Sequence, residues 1–170
     1  MNWNPYSIIE LSKKLAGTTD WFLDGGYSLE LFLEKTSRYH GDIDIGVFSQ
    51  NTKKLLKYIE GLGLQVYVAS KGGVEKYNEY HFTESNFNYW VSDGEFYRFQ
   101  ILVYELKSGR VSFRRNKEIS WPESSFIIEK NDIRMVNPLV TYAFKVTTSS
   151  VEGKDLSDIS LFSNWMAEHA

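Results

Sequence analysis

Two aspartates separated by one isoleucine, Asp42-Ile43-Asp44, are the residues whose spacing says most about chemistry in this chain. In an extended segment, side chains at i and i+2 share a face, so both carboxylates project together while Ile43 turns to the core. Two like charges that close repel unless a cation sits between them. Hard divalent cations such as Mg²⁺ take oxygen ligands of this kind. Alone, the pair also suits the solvent face of an ordinary strand, although aspartate is poor in strand interiors. The upstream Gly25-Gly26 changes the balance. A glycine pair after a short apolar run lets backbone amides approach a phosphate closely. Ser28 adds a hydroxyl, and a helix opening at Tyr27 would turn its N-terminus to an anion. A phosphate cradle and a metal pair are the parts that phosphoryl or nucleotidyl transfer needs.

The elements that must position these groups are legible in the pattern. Asn4-Pro5 suits a helix start, and Ile8, Leu11 and Leu15 then share a helical face. Trp21-Phe22-Leu23 reads as a buried strand closed by a tight turn at Asp24-Gly25-Gly26. Leu29, Phe32 and Leu33 imply a helix, and residues 42–48 a second strand. Leu55, Leu56, Ile59 and Leu62 mark another amphipathic helix before a third strand over 64–69. Residues 88–91 and 95–106 flank Asp93-Gly94, a strong hairpin signal. Residues 111–115 add a strand, and 126–129 with 133–136 form a hairpin around Asn131-Asp132. Two helices follow, one with Leu139, Tyr142, Ala143 and Val146 on a face, one with Leu156, Ile159, Phe162 and Met166. The expectation is an α+β fold with a mixed β-sheet flanked by helices. It divides into a core over 1–136 and a short C-terminal helical region over 137–170 packed on that core.

Composition bounds the partners. The chain has 170 residues, 42% of them hydrophobic and 16% aromatic, enough for a packed core and unlike a disordered chain. A net charge of −3 gives no basic field, so no duplex nucleic acid is expected. No cysteine is present, which excludes disulfides, thiolate catalysis and Cys-based zinc sites and suits a cytoplasmic protein. No apolar run approaches a membrane span, so no membrane partner is expected. The oligomeric state is not fixed by these features.

The run Trp21…Gly25-Gly26-Tyr27-Ser28…Ser37-Arg38-Tyr39-His40-Gly41-Asp42-Ile43-Asp44 resembles the signature of the DNA polymerase beta-type nucleotidyltransferase superfamily. Within it, the run is most similar to the branch of aminoglycoside 2″-adenylyltransferases and lincosamide nucleotidyltransferases. Arg38 and His40 match that branch's arginine-x-histidine step, while Glu30 stands where the branch usually has an aspartate. Phe113-Arg114-Arg115, Lys145 and Lys154-Asp155…Asp158 look like later landmarks of related proteins. The resemblance implies a nucleotidyltransferase fold and an Mg²⁺-dependent transfer of a nucleoside monophosphate, AMP from ATP, to a hydroxyl of a small acceptor. By that resemblance Gly25, Gly26 and Ser28 hold the triphosphate, with Arg38, His40 and Lys145 as further nucleotide contacts. Asp42 and Asp44 are the implied catalytic metal ligands.

There is one departure. The family normally supplies a third carboxylate from a later strand, and the matching position here is Gln100. A glutamine offers a carbonyl oxygen but is a negligible base. The strand period puts Phe96, Arg98, Leu102 and Tyr104 on the face of Gln100, so Glu95 or Glu105 would serve only across a bulge. The departure keeps open a catalytically impaired nucleotide-binding protein of the same fold. A toxin–antitoxin-type enzyme modifying a macromolecule shares only the fold. Arg114 and Arg115 suit either a triphosphate or an exposed strand face, and Asp155 and Asp158 suit a helix start. Tyr77, Tyr80, Phe82, Phe87, Tyr89 and Trp90 suit core packing or an acceptor pocket.

Overall fold

The first helix opens at Ser7 rather than at Asn4-Pro5. In the computed structural model, which describes residues 1–36, 38–70, 73–78, 88–148 and 150–169, Ser7 and Glu10 cap each other reciprocally. That capping box satisfies two of the amide donors a helix start leaves unpaired, so α1 spans Ile8–Lys14. The residues before it form a short strand, β1 (Asn2–Trp3). Next, β2 (Trp21–Asp24) runs without a loop into α2 (Gly25–Leu33). The next strand, β3 (Asp44–Phe48), leads through a turn of 3₁₀-helix to α3 (Thr52–Gly61). Then come β4 (Gln65–Ser70), β5 (Gly73–Lys76), β6 (Asn88–Ser92) and β7 (Phe96–Tyr104). Three short strands follow, β8 (Leu106–Lys107), β9 (Arg110–Ser112) and β10 (Ser120–Pro122), then α4 (Glu123–Phe126). The hairpin β11 (Ile127–Lys130) and β12 (Ile133–Val136) precedes α5 (Pro138–Val146) and α6 (Gly153–His169).

Among the described residues the main sheet has the order β11-β12-β2-β3-β7-β6-β4-β5, with β1 alongside the start of β7. The pairs β12–β2, β3–β7 and β1–β7 are parallel and the others antiparallel, so the sheet is mixed, as the sequence implied. A smaller sheet, β10-β9-β8, stands beside it. Strand alternation sends Leu23, Ile45, Val47, Phe99 and Ile101 to one face, where they pack with Leu11, Leu15, Leu55, Leu56 and Ile59. It sends Phe22, Phe48 and Tyr104 to the other, against Val111, Phe126, Val136 and Val140. Gly46 makes room on that second face, since a Cβ there would lie 1.9 Å from the Phe22 ring. The two C-terminal helices cover α2: Phe32 packs edge-on to Trp165 at 5.0 Å, and Tyr142 lies 5.4 Å from Phe162.

Further local expectations change, and the strand expected over 111–115 is β9, ending at Ser112. Asp42 lies outside β3, which starts at Asp44, although Ile43 still turns into the core. Helix α2 begins at Gly25 and not at Tyr27. The strand β7 carries a register shift: Val91 pairs with Phe99 while Ser92 pairs with Tyr97. That irregularity reverses the alternation, so Tyr97 joins Trp90 in ring contact at 5.0 Å, whereas Arg98 lies over the Tyr6 ring. Phe96 and Arg98 therefore do not share the face of Gln100. The expected turns hold: Asp93 accepts the amides of Glu95 and Phe96, and Asn131 and Asp132 both have positive φ.

Candidate functional site

Register brings the carboxylates together. Asp24 on β2 lies opposite Asp44 on β3, and Asp44 lies opposite Gln100 on β7, so the three side chains share one face in a row. Gly25 closes the row at the start of α2. Its φ is +65°, a left-handed conformation, and a Cβ there would sit 2.3 Å from Asp44 Oδ2. Glycine is thus required twice over, by the backbone and by the carboxylate pressed against it. Asp24 caps α2, accepting the Gly25 amide at 2.7 Å, and its other oxygen accepts the Tyr104 hydroxyl at 2.6 Å. Burial pushes Asp24 above the usual carboxylate range, and burial also holds Tyr104 well above its own, so Tyr104 remains a donor. The Asp44 carboxyl is pushed up to about 8 by burial first, then by the charges of Asp42 and Asp24.

That crowding suits a divalent cation. Neutralising charge beside Asp44 relieves the repulsion that Asp42 and Asp24 impose. Asp24 has both oxygens engaged, whereas Asp42 is exposed, so Asp42 and Asp44 are the side chains that fit a metal. Among the described residues no group of three or more His, Asp or Glu side chains gathers as a metal cage. Mg²⁺ suits such a sparse donor set because it keeps waters and phosphate oxygens in its coordination shell.

A second group surrounds Gly26. A Cβ on Gly26 would lie 2.4 Å from His40 Cε1 and 2.9 Å from Arg38 Nη2, so this glycine too permits a close approach. His40 packs against the Tyr27 ring at 4.3 Å, and its Nε2 lies 3.0 Å from Glu30 Oε1 without hydrogen-bond alignment. Glu30 also accepts the Arg38 amide, which ties residues 38–40 to α2. The Arg38 guanidinium donates through Nε and Nη2 to both oxygens of Asp158, on α6, at 3.1 and 3.0 Å. Lys145 Nζ lies 2.7 Å from the same carboxylate and 3.2 Å from Asp155. The two cations the resemblance assigned to phosphates are thus held together by one buried aspartate. Ser28 is fully buried and its hydroxyl donates to the Gly25 carbonyl at 2.8 Å, so it braces the turn rather than facing the cleft.

Two clefts adjoin the site, one at Asp42 and one at Asp24. One, of about 640 Å³, is lined by Trp3, Arg38, Tyr39, Asp42, Lys154 and Ser157 among others. The other, of about 200 Å³, is lined by Asp24, Gly25, Tyr104, Arg114, Phe144 and Lys145 among others. Arg114 lies over the rings of Tyr104 and Phe144, while Arg115 donates to the Phe144 carbonyl near the end of α5. Gln100 is half-buried beside Trp90, whose indole nitrogen donates to its amide oxygen at 3.1 Å. Tyr89 faces the other way, into the core with Tyr77. Tyr80, Phe82, Phe87 and Ser37 lie outside the described residues. Glu105 pairs with Lys107 at 2.5 Å and Glu95 precedes β7 in the exposed turn, so neither joins Asp44.

Sequence reasoning missed Asp24, Tyr104 and Asp158 as members of this site. Asp24 had a signal, an acidic side chain between a buried strand and a glycine pair, where a helix cap belongs. Tyr104 had one in the strand period that links it to Gln100. Asp158 had only the resemblance, which marked it without naming its partners, because they lie 120 and 13 residues away, a distance only tertiary packing closes.

Residues 6–96 match the family described as aminoglycoside-2″-adenylyltransferase. A lincosamide resistance protein of Staphylococcus haemolyticus is 32% identical over 63 residues, which covers 37% of this chain. The match spans 38% of that relative's length, well under half. The crystal structure of the lincosamide antibiotic adenylyltransferase LnuA with lincomycin bound is similar at a TM-score of 0.64 and 22% identity, covering 94% of this chain and 98% of that one. The crystal structure of ANT(2″)-Ia with adenylyl-2″-tobramycin is similar at 0.61 and 13% identity, covering 95% and 91%. At these identities the structural likeness is one of fold.

Proposed function

The chain belongs to the aminoglycoside-2″-adenylyltransferase family, and from that premise we propose that it transfers AMP from ATP to a hydroxyl of a small acceptor. The observation that carries this reading is the meeting of Gly25 with Asp44: a left-handed glycine at a helix start, its α-carbon packed against a crowded carboxylate. The amides that follow in the first turn of α2 are among those a helix leaves without an internal acceptor. They face an anion well, and the triphosphate is that anion. Arg38 and Lys145, pre-positioned by Asp158, supply positive charge beside it. Asp42 and Asp44 would hold Mg²⁺, which supplies neutralisation of phosphate charge when bound. The acceptor would enter by way of the cleft of about 640 Å³ beside Asp42 and Arg38, which has the size of a pocket for a small molecule. Lincomycin, bound by LnuA, and tobramycin, whose 2″-adenylyl form is bound by ANT(2″)-Ia, define the acceptor class to try first.

The test is pyrophosphate release from Mg²⁺–ATP with lincomycin, tobramycin and other hydroxylated antibiotics, followed by mass spectrometry of the acceptor. An acceptor mass increased by one adenylyl group is the expected result. Gln100 favours a second reading, a nucleotide binder with impaired chemistry, because no carboxylate from β7 faces Asp44. Stabilisation by Mg²⁺–ATP with no pyrophosphate release from any acceptor would select that reading. No stabilisation and no release would end both.

A further inference from the structure

We propose that Trp90 fixes the orientation of the Gln100 amide, so that Gln100 presents N–H donors to the acceptor side of the site and no oxygen to the metal. This rests on the nucleotidyltransferase reading above. The geometry begins with register: Gln100 lies opposite Asp44 on one side and opposite Trp90 on the other. The indole nitrogen of Trp90 and Gln100 Oε1 are 3.1 Å apart. An indole N–H donates and never accepts, so the amide atom it meets must be the oxygen. Chemistry therefore settles which way the amide faces. In the sheet order β3-β7-β6, Trp90 lies across β7 from Asp44, and the oxygen points toward Trp90. The amide nitrogen diverges from it, away from β6 and toward β3, so its two N–H donors turn to the side of Asp44.

Trp90 is itself held. Trp3 packs edge-on against it at 5.3 Å and Tyr97 at 5.0 Å. Tyr97 reaches that position because of the register shift in β7, which moves it to the Trp90 face. Turning the amide over would set N–H against N–H and leave a half-buried indole donor unpaired, which is costly away from water. Trp90 is thus a positioning residue acting through Gln100. An amide presented in this way binds and orients an acceptor oxygen but takes no proton from it. The metal then has Asp42 and Asp44 as its protein ligands, and a variant of Gln100 changes acceptor recognition rather than metal binding.

Two measurements without turnover test this. The first is Mn²⁺ affinity in the presence of a non-hydrolysable ATP analogue. Gln100→Ala should stay within about twofold of wild type, while Asp44→Asn weakens binding roughly tenfold or more. A loss in Gln100→Ala comparable to that in Asp44→Asn would overturn the proposal. The second follows the Trp90 indole N–H resonance, assigned with Trp90→Phe. It should shift in Gln100→Ala and stay in its wild-type position when Mg²⁺ and the analogue are added. Movement on addition to the Gln100→Ala position means the oxygen has swung to the metal, which sinks the proposal alone. Absence of any nucleotide-dependent Mn²⁺ binding in wild type would overturn the nucleotidyltransferase reading and this inference with it.

Discussion

A side chain at position 25 would meet Asp44 Oδ2 at 2.3 Å and would have to adopt φ near +65°. Gly25→Ala should therefore lower stability by about 1–3 kcal/mol, read in urea melts, and lose the thermal response to Mg²⁺–ATP. Asp44 tests the same contact from the other side. Its folded-state value of about 8 exceeds the ordinary 3.8, so the fold holds an extra proton between those values. Stability from this group is complete below 3.8 and lost as pH rises toward about 8. Asp44→Asn should then melt at or above wild type at pH near 8 without metal, the gap closing as pH falls, while its Mg²⁺–ATP response disappears. A variant that melts lower across that window, or that keeps the full ligand response, would contradict the placement of Asp44.

At the scale of elements, the most buried link between α6 and the site is one carboxylate, Asp158. Asp158 has a relative exposure of 1%, yet it accepts from Arg38 of the loop after α2 and from Lys145 of α5. Burial raises its pKa, but the hydrogen bonds from Arg38 and Lys145 outweigh that and hold it below the usual value. Its contribution is present above the unfolded value of 3.8 and lost as pH falls through the lowered folded value. Asp158→Ala leaves two cations facing each other and should cost about 3 kcal/mol or more. Hydrogen exchange should show α6 opening first, and nucleotide affinity should fall because Arg38 and Lys145 lose their anchor. Unchanged protection of α6 in this variant would remove Asp158 from the role described.

For the molecule as a whole, the two faces of the main sheet are closed by different parts of the chain. Helices α1 and α3 close one face. Val140 of α5 packs into the other, and α6 lies over α2 through Phe162 and Trp165. The division at residue 136 is therefore a proposal about folding as well as about sequence. A chain ended at Val136 should expose Phe22, Phe48 and Tyr104 in part, bind a hydrophobic dye, and fail to respond to Mg²⁺–ATP. A truncated chain that melts cooperatively with wild-type nucleotide response would show that residues 137–170 add nothing to the site. No helix among the described residues is long and apolar enough to cross a membrane.

The sequence by itself determined the strand–glycine–helix start, the second aspartate-bearing strand and most of the element order. These are local: an apolar run, a glycine pair and periodicities of two and 3.6 residues act over short stretches of chain. The resemblance marked Gln100 as the place of the missing carboxylate, and the register of β3 on β7 sets it opposite Asp44. Tertiary structure decided the rest. Asp24 became part of the carboxylate row only through its pairing with Asp44 across two strands. The Phe96 and Arg98 assignments failed because one irregularity in β7 reversed the alternation, and no composition signal marks where a strand slips. Arg38 and Lys145 met over Asp158 because α5 and α6 fold back on α2, a long-range closure that buried charge and apolar packing settle together.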